Sequence, residues 1–159
     1  MTVPMLDMPC LRVLEEHHLP YELLLHAPTM RALDEATALG IPGDEVGKTV
    51  VVRTPEGLVR TVVRASDRVS LPKLRELLGG GQETRLATED ELAGAYPMFE
   101  LGAVPPFGGP DGDRVVVDRA AAHHDTLVVE AGAHNQSIRL RAADLVAVSR
   151  AEVADVRVV

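Results

Sequence analysis

The sequence is poor in aromatic residues, cysteine and lysine, and each shortage excludes something. It has two Phe, two Tyr and no Trp, which argues against gripping single-stranded nucleic acid by stacking many bases on aromatic platforms. Its one cysteine, Cys10, rules out an internal disulfide and a multi-cysteine zinc site. Cys10 falls in a first helix without an activating neighbour and reads as structural. No apolar run approaches the roughly 20 residues needed to span a bilayer. The start, Met1-Thr2-Val3-Pro4, lacks the basic region and apolar core of a signal peptide. A cytoplasmic location with no membrane partner is therefore expected. Several catalytic signatures are also missing. There is no Gly-x-Ser-x-Gly elbow, no His-Glu-x-x-His and no complete phosphate loop. Gly47-Lys48-Thr49 resembles the end of such a loop, but its first glycine is absent and a strand follows where a helix is required. The pairs His17-His18 and His123-His124 cannot aim at one point. Neither a metal nor a cofactor is expected.

What is present is an aliphatic chain of 159 residues with a net charge of −8. That length fits one domain, residues 1–159, with a proper core. The acidity argues against a long duplex footprint, so DNA is not an expected partner. The charge is uneven, however: the segment from Lys48 to Arg85 is net about +4 and the remainder about −12. A polyanion could dock there on a small patch, or the arginines could simply guard a sheet edge.

Spacing predicts a first helix over 7–18 with Asp7 as N-cap and Pro9 in its first turn, then a strand over 21–26. Thr29 is placed to cap a helix over 30–39, closed by Gly40 in the left-handed conformation. The clearest unit is a hairpin, 48–54 and 58–65, turning at Pro55-Glu56-Gly57. On its second strand the alternation sets Leu58, Arg60, Val62 and Arg64 on one face, and the arginines predict that this face meets water. Ser70 caps a helix to Leu78, and Thr88 with Glu91 has capping-box spacing ahead of a helix to Ala95. A loop rich in Gly and Pro runs from 100 to 113. Strands over 85–87, 114–117, 126–129 and 137–140, a helix over 141–149 and a strand over 153–158 complete the chain. Hairpins mixed with helices, without regular βαβ alternation, predict a mixed α/β fold with a largely antiparallel, barrel-like sheet flanked by helices.

Two segments stand out. Against fourteen arginines there are only two lysines, yet Lys48 stands at the mouth of the apolar strand Val50-Val51-Val52. The two side chains are not interchangeable, since lysine is a compact point charge. Lys48 shares a strand face with Val50 and Val52, where a cation is costly without an anionic partner. The partner is then distant in sequence or a ligand, unless the stem snorkels into water. The second segment is Leu101-Gly102-Ala103-Val104-Pro105-Pro106-Phe107-Gly108-Gly109. Long loops in compact domains are often functional. Its glycines allow close backbone approach, and its prolines stiffen it, with a cis bond an option at either. Such a loop either offers backbone donors to a carbonyl or oxyanion or is ordinary surface. His26 and His134 lie near predicted turns and are candidates for lining a pocket or for plain structural roles.

Together these segments make the sequence resemble the YbaK/prolyl-tRNA-synthetase-associated editing-domain family, whose members hydrolyse amino acids wrongly attached to tRNA. The matching pieces occur in the family's order. They are His26-Ala27-Pro28-Thr29, Val46-Gly47-Lys48-Thr49-Val50-Val51, Ser70-Leu71-Pro72-Lys73-Leu74, Leu86 to Leu92, Gly102 to Gly108 and Glu130-Ala131-Gly132. The resemblance implies a barrel-like mixed α/β fold and a tRNA 3′-end as partner, with an aminoacyl-tRNA synthetase as a further candidate. It implies that Lys48 helps hold the terminal nucleotide through phosphate. It implies that the Gly102 N–H contacts the reacting ester, and that the substrate's own ribose hydroxyl activates the water. Thr49, Pro105, Pro106, Phe107, His26, Gly132 and His134 are the expected substrate-binding residues. The segment Gly132 to Gln136 departs from the cysteine-clearing branch, which has an arginine-rich turn there, so that specificity is not expected; His134 would instead shape the amino-acid pocket. Three functions compete: a trans-acting aminoacyl-tRNA deacylase, a non-catalytic module for a tRNA 3′-end or nucleotide, and an enzyme using Lys48 as a Schiff base.

Overall fold

A computed structural model describes residues 8–110 and 112–159. In chain order it contains α1 (Pro9–Glu16), β1 (Glu22–Leu25), α2 (Ala32–Leu39), β2 (Gly47–Thr54), β3 (Gly57–Arg64) and α3 (Leu71–Leu78). There follow β4 (Arg85–Leu86), α4 (Glu89–Ala95), β5 (Arg114–Asp118) and α5 (Arg119–Ala122). The chain ends with β6 (Thr126–Ala133), β7 (Gln136–Arg141), α6 (Ala142–Ser149) and β8 (Glu152–Ala154).

Local chemistry explains most boundaries. The β2–β3 hairpin closes with Thr54 opposite Gly57; the Thr54 hydroxyl donates to the Gly57 carbonyl at 3.0 Å and accepts from the Glu56 N–H at 3.1 Å. The Ser70 hydroxyl accepts from the Lys73 N–H and caps α3. Thr88 and Glu91 satisfy each other's backbone in the expected capping box. Gly40 ends α2 at φ 69°, a conformation in which a Cβ would be strained.

The strands form two sheets, of order β1-β7-β6 and β4-β2-β3-β5-β8. The first is wholly antiparallel. The second is mixed, because β5 joins β3, and β8 joins β5, in parallel. Val46 and Val128 make a parallel bridge between the sheets, so the surface curls like a barrel without closing. The largest core cluster, including Leu14, Val62, Val117, Leu127, Ile138 and Leu145, fills the inside of this curl. A second packs α3 on the outer face of β3 and β5 through Leu74, Val63 and Val116. Two smaller clusters lie under α2 and under α4.

Several expectations are corrected. β3 is central rather than at an edge, so its Arg60 face does not meet water: Arg60 is 1% exposed and Val62 fully buried. The second helix begins at Ala32 with Arg31 in the N-cap position and no side-chain cap, because Thr29 stands before that position, its N–H at 3.0 Å and its hydroxyl at 3.5 Å both donating to the His134 carbonyl. β6 runs on to Ala133 through an irregularity between Glu130 and Ala133. The short α5, capped by Asp118, was not expected. All peptide bonds among the described residues are trans. Asp7, the expected first cap, lies outside the described residues, and Met8 takes the N-cap position of α1.

Candidate active site

The register of β2 creates the site. The Ala65 N–H donates to the Val46 carbonyl, and the Ala87 N–H to the Val51 carbonyl. In an antiparallel ladder the backbone groups of alternate residues point to opposite edges. Even-numbered residues of β2 therefore bond to β3, and odd-numbered ones face the other edge. β4 covers that edge only at Val52 and Arg53. Thr49 thus presents its backbone N–H and carbonyl where the edge stands open. A cavity of about 380 Å³ occupies this opening. Its walls are Gly47 to Val50 of β2, the entry of α2 from Met30 to Leu33, Gly102 and Val104 of the long loop, and Glu130 of β6.

Lys48 is half-buried on this wall, and among the described residues its ammonium has no ion pair within 4.0 Å. Burial pushes its pKa below the ordinary lysine value; Asp67 pulls it back up and Arg68 adds to the lowering. Asp67 is a poor partner because Arg64 at 2.6 Å and Arg157 at 3.5 Å already hold it. The uncapped start of α2 adds further positive potential to the same wall.

On the facing wall the Ala103 N–H donates to the Glu100 carbonyl at 3.0 Å, and Gly102 sits between them at φ 85°. A type II turn demands such a φ at its third residue, which favours glycine. The Leu101 carbonyl accepts a hydrogen bond from His134 Nε2 at 2.7 Å, so that nitrogen carries the proton. The carbonyl and N–H of one trans peptide point in opposite directions. Anchoring the Leu101 carbonyl therefore turns the Gly102 N–H away from His134. A Cβ at Gly102 would lie 3.4 Å from His134 Cε1, so the ring also backs the turn directly.

The far end of the loop is held by Arg60. Its guanidinium donates to the Pro105 carbonyl at 2.9 Å, to the Gly108 carbonyl at 2.6 Å and to Asp113 at 2.6 Å. The Tyr96 hydroxyl donates to Asp113 at 2.7 Å, and the Tyr96 ring stacks against the guanidinium carbon at 4.8 Å. Each nitrogen of the guanidinium thus has an acceptor, which is what a buried arginine requires.

The sequence reading missed two carboxyls here, Glu130 lining the cavity and Glu35 buried behind it. Glu130 is 14% exposed, and its Oε2 lies 3.4 Å from His134 Nδ1; neither atom has an aligned hydrogen bond among the described residues. Burial raises the Glu130 pKa to about 8, with Glu35 and Glu100 adding to the rise. Glu35 is fully buried and accepts from the Ser137 hydroxyl. Burial raises its pKa to about 7, opposed by Ser137 and by His134. The one available signal for Glu130 was an acid inside the apolar run Leu127-Val128-Val129. For Glu35 it was its place beside Ala32 and Ala36 on the apolar face of α2.

Of the expected site residues, Lys48, Thr49 and Gly102 line the cavity, and His134 supports it from beneath. The others lie elsewhere. His26 Nε2 meets the Ser137 hydroxyl at 2.8 Å and its Nδ1 donates to the Ala27 carbonyl at 2.8 Å, tying β1 to β7. Pro105 and Pro106 are buried off the cavity. Phe107, 4% exposed, belongs to the main core because the loop turns inward after the prolines. Gly132 packs on Phe99, where a Cβ would lie 2.8 Å from the ring.

Known proteins place this arrangement. Residues 26–148 match the aminoacyl-tRNA editing domain family. A proline–tRNA ligase of Exiguobacterium sibiricum is 35% identical over 96 residues, a match covering 59% of this chain and 16% of that protein. A solved structure provisionally described as a trans-editing enzyme for prolyl tRNA synthetase superposes with a TM-score of 0.85 at 25% identity, covering 99% of this chain and 100% of that one. Another, of a hypothetical protein, has a TM-score of 0.86 at 26% identity and covers 94% of this chain and 99% of its own. The match spans most of the sequence and takes in both walls of the cavity: the chain belongs to the aminoacyl-tRNA editing domain family.

Proposed function

We propose that this chain, residues 1–159 acting as a single domain, is a free-standing aminoacyl-tRNA deacylase that removes a wrongly attached amino acid in trans. The observation that carries the reading is that Lys48 and Gly102, far apart in sequence, line one cavity. Ester hydrolysis passes through a tetrahedral oxyanion, and preorganised backbone donors stabilise that charge. Gly102 supplies such an N–H, without a Cβ to hinder approach. Lys48 is a cation without an ion-pair partner among the described residues, suited to a phosphate of the tRNA 3′-end, and gripping that end supplies orientation. The water is activated by the ribose hydroxyl of the substrate, in keeping with the family resemblance. The partner is an aminoacylated tRNA 3′-end, and the likeness to a proline–tRNA ligase and to a trans-editing enzyme for prolyl tRNA synthetase supports a working relation with that synthetase. A cytoplasmic location follows from this role. Incubation with a panel of mischarged tRNAs beside Lys48→Ala tests the reading. Release of free amino acid, strongly reduced in the variant, is expected. Absence of cleavage across the panel, or equal cleavage by the variant, overturns it.

A further inference from the structure

We propose that Glu130 is the receptor for the free α-ammonium group of the substrate, so that the site accepts aminoacyl esters and rejects those whose amine is acylated. The inference rests on the deacylase reading and adds a specificity residue to it. Three observations carry it. Glu130 is the one acid among the described residues lining the cavity, where Lys48 and Arg31 are the cations. Arg31 already pairs with Asp34, at 3.3 Å. The cavity therefore has a cationic wall for phosphate and a single carboxyl set in β6. Second, among the described residues no cation within salt-bridge reach neutralises this carboxyl except a histidine with which it is not aligned. Ionising a buried carboxyl is costly unless it is paired, so Glu130 holds its proton and gives it up when a cation arrives. A carboxyl kept in a ligand cavity without a permanent partner suits a cationic group that arrives with the ligand. Third, Glu130 reaches His134, and His134 holds the Leu101 carbonyl. The carboxyl thus lies one side chain away from the turn that presents the Gly102 N–H.

An aminoacyl ester has its amine one carbon from the reacting carbonyl, so a carboxyl on this wall reads the group next to the scissile bond. Acylation removes the positive charge and adds bulk, leaving Glu130 buried against a neutral amide.

The test compares the most rapidly cleaved aminoacyl-tRNA with its N-acetyl form, using wild type, Glu130→Gln and Glu130→Asp. A charge-assisted hydrogen bond of about 1.5–3 kcal/mol predicts that acetylation slows wild-type cleavage about 10- to 150-fold. In Glu130→Gln that discrimination collapses towards unity, and Glu130→Asp retains part of it. Binding of 3′-alanylamino-3′-deoxyadenosine, whose amide is not an ester, is measured beside its N-acetyl form by calorimetry. Preference for the free amine that disappears in Glu130→Gln supports the proposal even if no ester is cleaved, in which case only the deacylase reading falls. Equal wild-type cleavage or binding of free and acetylated forms overturns the proposal and leaves the deacylase reading standing. A Glu130→Gln loss that is the same for both forms also overturns it, assigning Glu130 a role other than amine recognition.

Discussion

The two walls of the cavity are built on opposite principles. The Gly102 wall is closed on itself: His134 fixes one end of the loop and Arg60, with Asp113 and Tyr96, fixes the other. The β2 wall is left open, with an unpaired strand edge, an uncapped helix start and a half-buried lysine without an ion pair among the described residues. A donor that must stabilise transient charge benefits from being rigid beforehand, whereas groups that capture a substrate keep their valences free. Structural residues on the first wall should therefore affect stability, and binding residues on the second should affect activity alone.

The largest break in this contrast is Arg60→Met. It leaves Asp113 without its cation and the Pro105 and Gly108 carbonyls without their donor, and breaking a buried pair costs about 3–5 kcal/mol. Urea denaturation should show a loss of that order, with activity falling because the loop is freed. A stability change under about 1 kcal/mol would mean that the clamp is not what holds the loop.

The buried carboxyls come next. Glu35 has its folded pKa raised to about 7 from 4.5. A raised value means that the folded state holds the proton more tightly, so this contribution is fully present below pH 4.5 and fades as pH rises towards 7. It is worth on the order of 3 kcal/mol. Melting temperatures between pH 4.5 and 8 should fall in wild type and fall less steeply in Glu35→Gln, where Glu130 still sheds its proton over the same range. A parallel slope in the two proteins would refute the assignment.

Lys48→Met should invert the pattern of Arg60. Deacylation is expected to drop about 10- to 150-fold, the worth of a charge-assisted contact to phosphate. The melting temperature should hold or rise, because a half-buried cation without an ion pair is replaced by an apolar stem of similar length. A large stability loss would show that Lys48 is structural.

The smallest effect sharpens the comparison at one atom. Gly102→Ala puts a Cβ at φ 85°, a strain of about 1 kcal/mol or more, against the His134 ring. Stability should fall by that amount, and activity by more than stability accounts for. Unchanged kcat would remove the Gly102 N–H from the chemistry.

Much of the local architecture was legible because its causes are local. The Thr88–Glu91 box, the Ser70 cap and the hairpin at Pro55 each act within a few residues, so their spacing suffices. Lys48 was legible as a rare residue type on an apolar strand. Arg60 was misread because alternation reveals which residues share a face but not whether a further strand covers it. β5, from much later in the chain, joins β3 and makes it central. Phe107 was misplaced for a similar reason: a Gly- and Pro-rich loop carries no period from which an inward turn could be read.

The sequence by itself therefore determined the Ser70 and Thr88 caps, the hairpin turn, which residues share a strand face and the two segments that meet at the cavity, since short-range sterics and hydrogen bonding suffice for those. Only the tertiary structure decided which face of β3 is dry, and that Glu35, Glu130 and His134 share one buried corner. Burial and charge–charge proximity are set by which distant strands pair, and no spacing within a single strand encodes that.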